Sequence, residues 1–77
     1  MKPVDELMHK AFGVPRDPRS LEYKEGVRAV LEWRVNAVKI KSPYPMGTAQ
    51  ADAFYSGCDE GHRIAHEANY FQQRTAQ

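Results

Sequence analysis

One cysteine, Cys58, is all this chain offers to sulfur chemistry, so no internal disulfide can staple the fold. A lone thiol suits a reducing compartment, with an intermolecular bridge as the alternative. Long apolar runs are also absent. No stretch of 18 or more apolar residues occurs, so the sequence predicts no membrane span. The opening residues Met1-Lys2-Pro3-Val4-Asp5-Glu6 turn acidic at once and carry no apolar signal core, which leaves the cytoplasm as the expected location. Excess charge is missing too, since 11 basic and 10 acidic side chains give a formal net charge of +1. A dedicated nucleic-acid binder carries a strong basic face, because neutralising phosphate supplies most of its non-specific affinity. Direct nucleic-acid binding is therefore disfavoured. Residues 1–41 are nonetheless about +3 and residues 42–77 about −2, with a small basic patch at Arg34, Lys39 and Lys41.

What is present is helical periodicity in a chain of 77 residues, room for one domain and one modest core. The expected fold is all-α: a short N-terminal helix and two longer ones joined by a Pro-Tyr-Pro linker. Pro3 to Phe12 forms the first helix, with Asp5 and Glu6 in its first turn, Gly13 as its stop, and Val4, Leu7, Met8, Ala11 and Phe12 on one face. Pro15 and Pro18 break the chain, and Ser20 offers an N-cap for a helix spanning 20–38. In it Tyr23, Val27, Val30 and Leu31 face inward, while Lys24, Glu25, Arg28 and Glu32 face water. Trp33 and Leu31 cannot share a face, so one of them is partly exposed.

The stretch from Arg34 to Lys41 alternates well enough to mimic a strand. A lone strand has no partner in so short a chain, so helix to Val38 and extended chain beyond is the expectation. Ser42-Pro43-Tyr44-Pro45-Met46-Gly47 interrupts the pattern, and Thr48 is the next N-cap. A third helix is expected over 48–72, with Phe54, Cys58, Gly61, Ile64, Ala65, Ala68 and Phe71 on one face and 73–77 as a loose tail.

The groups that could carry chemistry favour bland readings. His62 and His66 are four apart, the spacing of helical metal sites, but Arg63 stands where the H-E-x-x-H motif needs its glutamate base. Cys58, His62 and His66 span about 12 Å of helical rise, too far for one ion with bonds of about 2.0–2.3 Å. No metal or other cofactor is expected, with His62 and His66 as weak candidates only. Cys58 as a nucleophile would need an oxyanion site that mid-helix amides cannot supply. A small core residue is the simpler role, and no enzymatic activity is expected. Asp52, Asp59, Glu60 and Glu67 read as the solvated face of the last helix.

Gly57 and Gly61, between Ala53 and Ala65, form a small-residue stripe. A mid-helix glycine costs about 1 kcal/mol relative to alanine, so close approach of another segment is expected. That segment is either a helix of the same domain or a partner, including a second copy of this chain. Trp33, Tyr44 and Tyr55 are aromatic contact candidates. The expected partner-binding set is thus Trp33, Arg34, Lys39, Lys41, Tyr44, Tyr55, Gly57 and Gly61.

Over Gly26–His62 the chain resembles the ribosome modulation factor family. The residues that carry the resemblance are Gly26-Val27-Arg28-Ala29, then Pro43-Tyr44, then Phe54-Tyr55-Ser56-Gly57-Cys58-Asp59-Glu60-Gly61. Ser42 stands where that family has cysteine and Phe54 where tryptophan is usual. The spacer before Pro43 is longer, and one extra residue follows Tyr44. The resemblance implies two helices clasped around a Pro-Tyr linker and a ribosome-associated role, although that family is strongly basic. The run from Pro43 to His62 also looks like small phage and prophage proteins, which implies a stoichiometric inhibitor of host machinery, of anti-CRISPR or other counter-defence type. The leading expectation is a small binding protein that docks on a host protein or ribonucleoprotein complex, with ribosome association as the alternative.

Overall fold

The computed structural model describes residues 3–13 and 18–68. Three helices follow one another: α1 (Pro3–Phe12), α2 (Leu21–Asn36) and α3 (Ala49–Glu67). Among the described residues there is no strand, and no helix is long and apolar enough to cross a membrane. Both expected N-caps form. Ser20 Oγ accepts from the Tyr23 amide at 3.2 Å and Thr48 Oγ1 from the Ala51 amide at 3.1 Å, each satisfying an amide that the first turn leaves unpaired.

The end of α2 departs from expectation. The helix stops at Asn36 rather than Val38, because Ala37 adopts a left-handed conformation (φ 59°). Its amide donates to the Trp33 carbonyl at 2.9 Å, and the Val38 amide turns back to the Glu32 carbonyl at 3.2 Å. Left-handed caps usually employ glycine, so an alanine gives no stop signal. A β-carbon is strained in this region. Ala37→Gly is therefore expected to stabilise the fold by about 0.5–1 kcal/mol, net of the freedom glycine adds to the unfolded chain. A melting temperature that fails to rise would show that the cap is unstrained.

Residues 37–43 then run on without regular structure, so the strand-like alternation marks an extended connector. Its length has a geometric purpose. Gly26 of α2 abuts Phe54 and Cys58 of α3, Gly57 abuts Tyr23 and Val27, and Gly61 abuts Val27 and Val30. Trp33 and Arg34 meet His62 farther along. The pairings advance together, so α2 and α3 run in the same general direction. The chain must double back between them over most of a helix length. A 16-residue helix is about 24 Å long, and extended chain advances about 3.3 Å per residue. A tight turn cannot bridge that distance, whereas the 12 residues 37–48 can. Ile40 and Tyr44 pack on the helices as the linker passes.

Two apolar clusters result. Val4, Val27, Leu31 and Ala65 form one, flanked by Leu7, Met8, Phe12 and Ile64, and this cluster seats α1. Val30, Phe54 and Cys58 form the other, beneath Ile40 and Tyr44. Leu31 is fully buried and Trp33 half-buried, which settles which of the two is partly exposed. On α3 the expected inward residues Phe54, Cys58, Gly61 and Ala65 are buried, and Ile64 and Ala68 are half-buried. α3 ends at Glu67, short of the expected residue 72; residues 69–77, including Phe71, lie outside those described.

One polar contact ties α1 to α2 in a way that spacing alone does not reveal. Arg28 reaches Asp5 of α1 at 2.9 Å as well as Glu32 at 3.7 Å. Both are exposed pairs, and such pairs contribute about 1 kcal/mol at most.

Candidate functional site

The face of α3 that was expected to receive a partner is occupied by the chain itself. A β-carbon built on Gly57 would lie 1.9 Å from the Tyr23 carbonyl oxygen, and one on Gly26 would lie 1.9 Å from the Phe54 carbonyl oxygen. The two helices thus press backbone to backbone, each glycine admitting the other helix's carbonyl. Gly61 lies under Val30, whose Cβ would be 2.8 Å away. Gly57 and Gly61 are buried, so they leave the set of partner-binding residues. Their energetic justification is the α2–α3 contact.

Tyr44 is likewise an internal fastening. Its hydroxyl donates to Glu25 Oε1, and its ring meets Phe54 edge-on at 6.2 Å. The Glu25 hydrogen bond, with smaller help from burial and from the charges of Glu25 and Glu22, pushes the phenol up to about 12. Ser42 Oγ accepts from the Tyr44 amide at 3.1 Å and so shapes the turn. Glu25, expected on the wet face, is the anchor for the linker.

Glu60 also departs from the solvated acidic face expected of it. It is only 8% exposed. Tyr23 donates to its Oε1 at 2.5 Å, and Arg63 holds Oε2 at 3.2 Å while pairing with Glu67 at 3.2 Å. A buried carboxylate is tolerable only when its oxygens are matched by donors. The tyrosine comes from α2, which is why α3's own pattern could not announce it. Beside this group lies a cleft of about 260 Å³ between α1 and α3, floored by Leu7, Ala11 and Ile64.

What remains outward includes side chains at the end of α2 and on the linker that follows it. Trp33 and Arg34 are half-buried, and Lys39 and Lys41 are exposed on the linker that follows. The Arg34 guanidinium sits 5.3 Å from the Trp33 ring centroid. Its Nη2 lies 3.0 Å from His62 Nδ1, while its Nε is buried with no acceptor among the described residues. Trp33 meets the His62 ring edge-on at 5.9 Å. Tyr55 stands on α3 with 49% of its surface exposed and its ring edge-on to Phe54 at 5.5 Å. Of the expected contact residues, Trp33, Arg34, Lys39, Lys41 and Tyr55 keep accessible surface of their own. His62 joins Trp33 and Arg34 here, a contact that only the parallel packing of α2 on α3 reveals.

The chain was compared with protein-family models, curated proteins and solved structures. None matches it.

The weak metal candidates are not assembled. His62 faces Arg34, His66 is exposed one turn on, and among the described residues no three His, Cys, Asp or Glu side chains are grouped to hold an ion. Cys58 is buried against Val30 and Phe54. Burial first, and Asp59 second, push its thiol above the usual value, which suppresses the nucleophilic thiolate.

Proposed function

We propose that this chain is a non-catalytic binding protein that docks on a host macromolecular machine through the Trp33–Arg34–Lys39–Lys41 rim, and that this machine is the ribosome. One observation carries the ribosomal reading. The residues behind the resemblance to ribosome modulation factors lie far apart in sequence, yet Gly26, Tyr44, Phe54 and Gly57 converge on one α2–linker–α3 junction. Two helices clasped around a Pro-Tyr linker are what that resemblance implies. The rim adds a tryptophan and an arginine side by side, the residue types that most often anchor interfaces, together with two lysines suited to phosphate.

A second reading, an inhibitor of a host protein complex of the phage counter-defence type, is favoured by the charge. A chain at +1 holds little general attraction for a polyanion. Sedimentation through sucrose with purified ribosomes separates the two. Ribosomal association is expected, weakening steeply with salt as phosphate contacts do. A K39Q/K41Q variant, altered only at exposed side chains, is expected to lose about tenfold in affinity at low salt, with its melting temperature little changed. Absence of the protein from the ribosomal fraction at low salt would overturn the ribosomal reading. Recovery of a defined protein complex from host lysate in that case would favour the inhibitor.

A further inference from the structure

Arg34 and His62 join the last turn of α2 to the middle of α3, and their chemistry constrains the state of the histidine. Guanidinium nitrogens donate hydrogen bonds and accept none. Arg34 Nη2 lies 3.0 Å from His62 Nδ1, so that nitrogen must present a lone pair. The imidazole is then neutral, with its proton on Nε2. Trp33 closes the cluster, its ring edge-on to the imidazole at an interplanar angle of 81° and beneath the guanidinium at 5.3 Å. With Arg34 Nε lacking an acceptor among the described residues, the bond to His62 is what fixes the guanidinium in its pose.

We propose that His62 is an acid-released latch that holds Arg34 on Trp33 at neutral pH and lets it go when the imidazole takes a second proton. A proton on Nδ1 removes the acceptor and places a cation against the guanidinium. The charged groups that act on His62 are Arg34, from α2, which opposes that proton, and Asp59, on its own helix, which favours it. No charged group of α1 or of the linker acts on it among the described residues. Burial, followed by Arg34, holds the imidazole below its ordinary value against the weaker pull of Asp59.

The sign of the pH dependence follows from linkage. The unfolded chain takes up its proton near pH 6.5, before the folded one does. The latch therefore contributes in full above about 6.5 and is lost as pH falls through the lower folded value. Release frees the Arg34 guanidinium and uncovers one face of the Trp33 ring. As a control of docking the latch rests on the rim reading given above, but the latch itself needs no partner to be detected.

Nitrogen-15 NMR of the whole chain gives the primary test. At neutral pH His62 is expected as the Nε2–H tautomer, and on acidification it should titrate below the ordinary histidine value of about 6.5. Trp33 fluorescence should change with the same midpoint as His62. Thermal melts supply the second arm. The wild-type melting temperature should drop between about pH 7 and about pH 5, and the drop should be smaller in His62→Gln, whose amide oxygen can accept from Arg34 without titrating. An Nδ1–H tautomer, titration at or above the ordinary value of about 6.5, or an undiminished pH slope in His62→Gln would each overturn the latch. If His62→Gln does not fold, the wild-type spectra decide alone. A failed latch test would leave the sedimentation result standing, and an absence of ribosome binding would leave these spectra unchanged.

Discussion

Replacing Gly26 or Gly57 with alanine is expected to abolish cooperative folding at room temperature. The added carbon would sit 1.9 Å from a carbonyl oxygen of the facing helix in either case, against an ordinary van der Waals distance of 3.4–4 Å. No rotamer relieves this clash, because both parties are backbone. The helices would have to part by more than an ångström along a contact that seats Val27, Val30 and Phe54, and close-packed interiors do not yield that far cheaply. We expect a cost above about 4 kcal/mol, the range reserved for severe defects. A single-core domain of this size commands only about 3–5 kcal/mol in total. Gly47 is the control. Its φ of 84° strains an alanine, yet nothing lies within 4 Å of the position, so Gly47→Ala should cost only about 1–2 kcal/mol. Circular dichroism melts of the three variants check the ranking. A Gly57→Ala protein that melts like wild type would mean the helices do not meet there.

Phe54→Ala should come close to the same outcome by the opposite route, making a hole instead of a clash. The ring is 2% exposed and belongs to a cluster with Val30 and Cys58, capped by Tyr44. Removing a buried phenylalanine costs about 3–5 kcal/mol through lost transfer energy and an unfilled cavity. The Tyr44 ring loses its edge-on partner at the same time, so the linker loosens along with the core. Its neighbour provides the comparison. Tyr55 is half exposed, and Tyr55→Ala should change stability by about 0.5 kcal/mol or a little more. Urea denaturation measures both. Similar midpoints for the two variants would contradict the placement of Phe54 at the junction.

Much of the secondary structure was readable because its signals are local. Ser20 and Thr48 announce helix starts through side chains that cap three residues on, and the prolines of the linker forbid helix wherever they stand. The stop at Ala37 was not readable, since the residue that adopts the left-handed turn is not one that prefers it. Tertiary facts were harder for a different reason. A helical pattern says which side of α3 is inward but not what lies against it, so the stripe of Gly57 and Gly61 was compatible both with α2 and with a partner. Glu60 defeated the pattern outright, because its burial depends on a hydroxyl 37 residues earlier. For the site, of the side chains that residue type singled out, Trp33, Arg34, Lys39, Lys41 and Tyr55 keep accessible surface, while Tyr44, Gly57 and Gly61 are taken up by contacts inside the domain. It gave no hint that His62 would be the one to hold Arg34, which depends on helix direction.

That shared direction of α2 and α3 has an electrical consequence. Antiparallel neighbours place opposite ends of their peptide dipoles side by side and largely cancel them. Parallel neighbours add them, and each helix end carries about half an elementary charge. The carboxyl ends of both helices therefore bring a negative backbone field to one end of the molecule. Arg34 lies in the last turn of α2 and His66 in the last turn of α3, with Lys39 and Lys41 just beyond α2. Part of their positive charge is spent against the protein's own carbonyls. An approaching polyanion would feel less than the formal count of cations on the rim, and a proton arriving at His62 would strengthen that pull even as it releases Arg34.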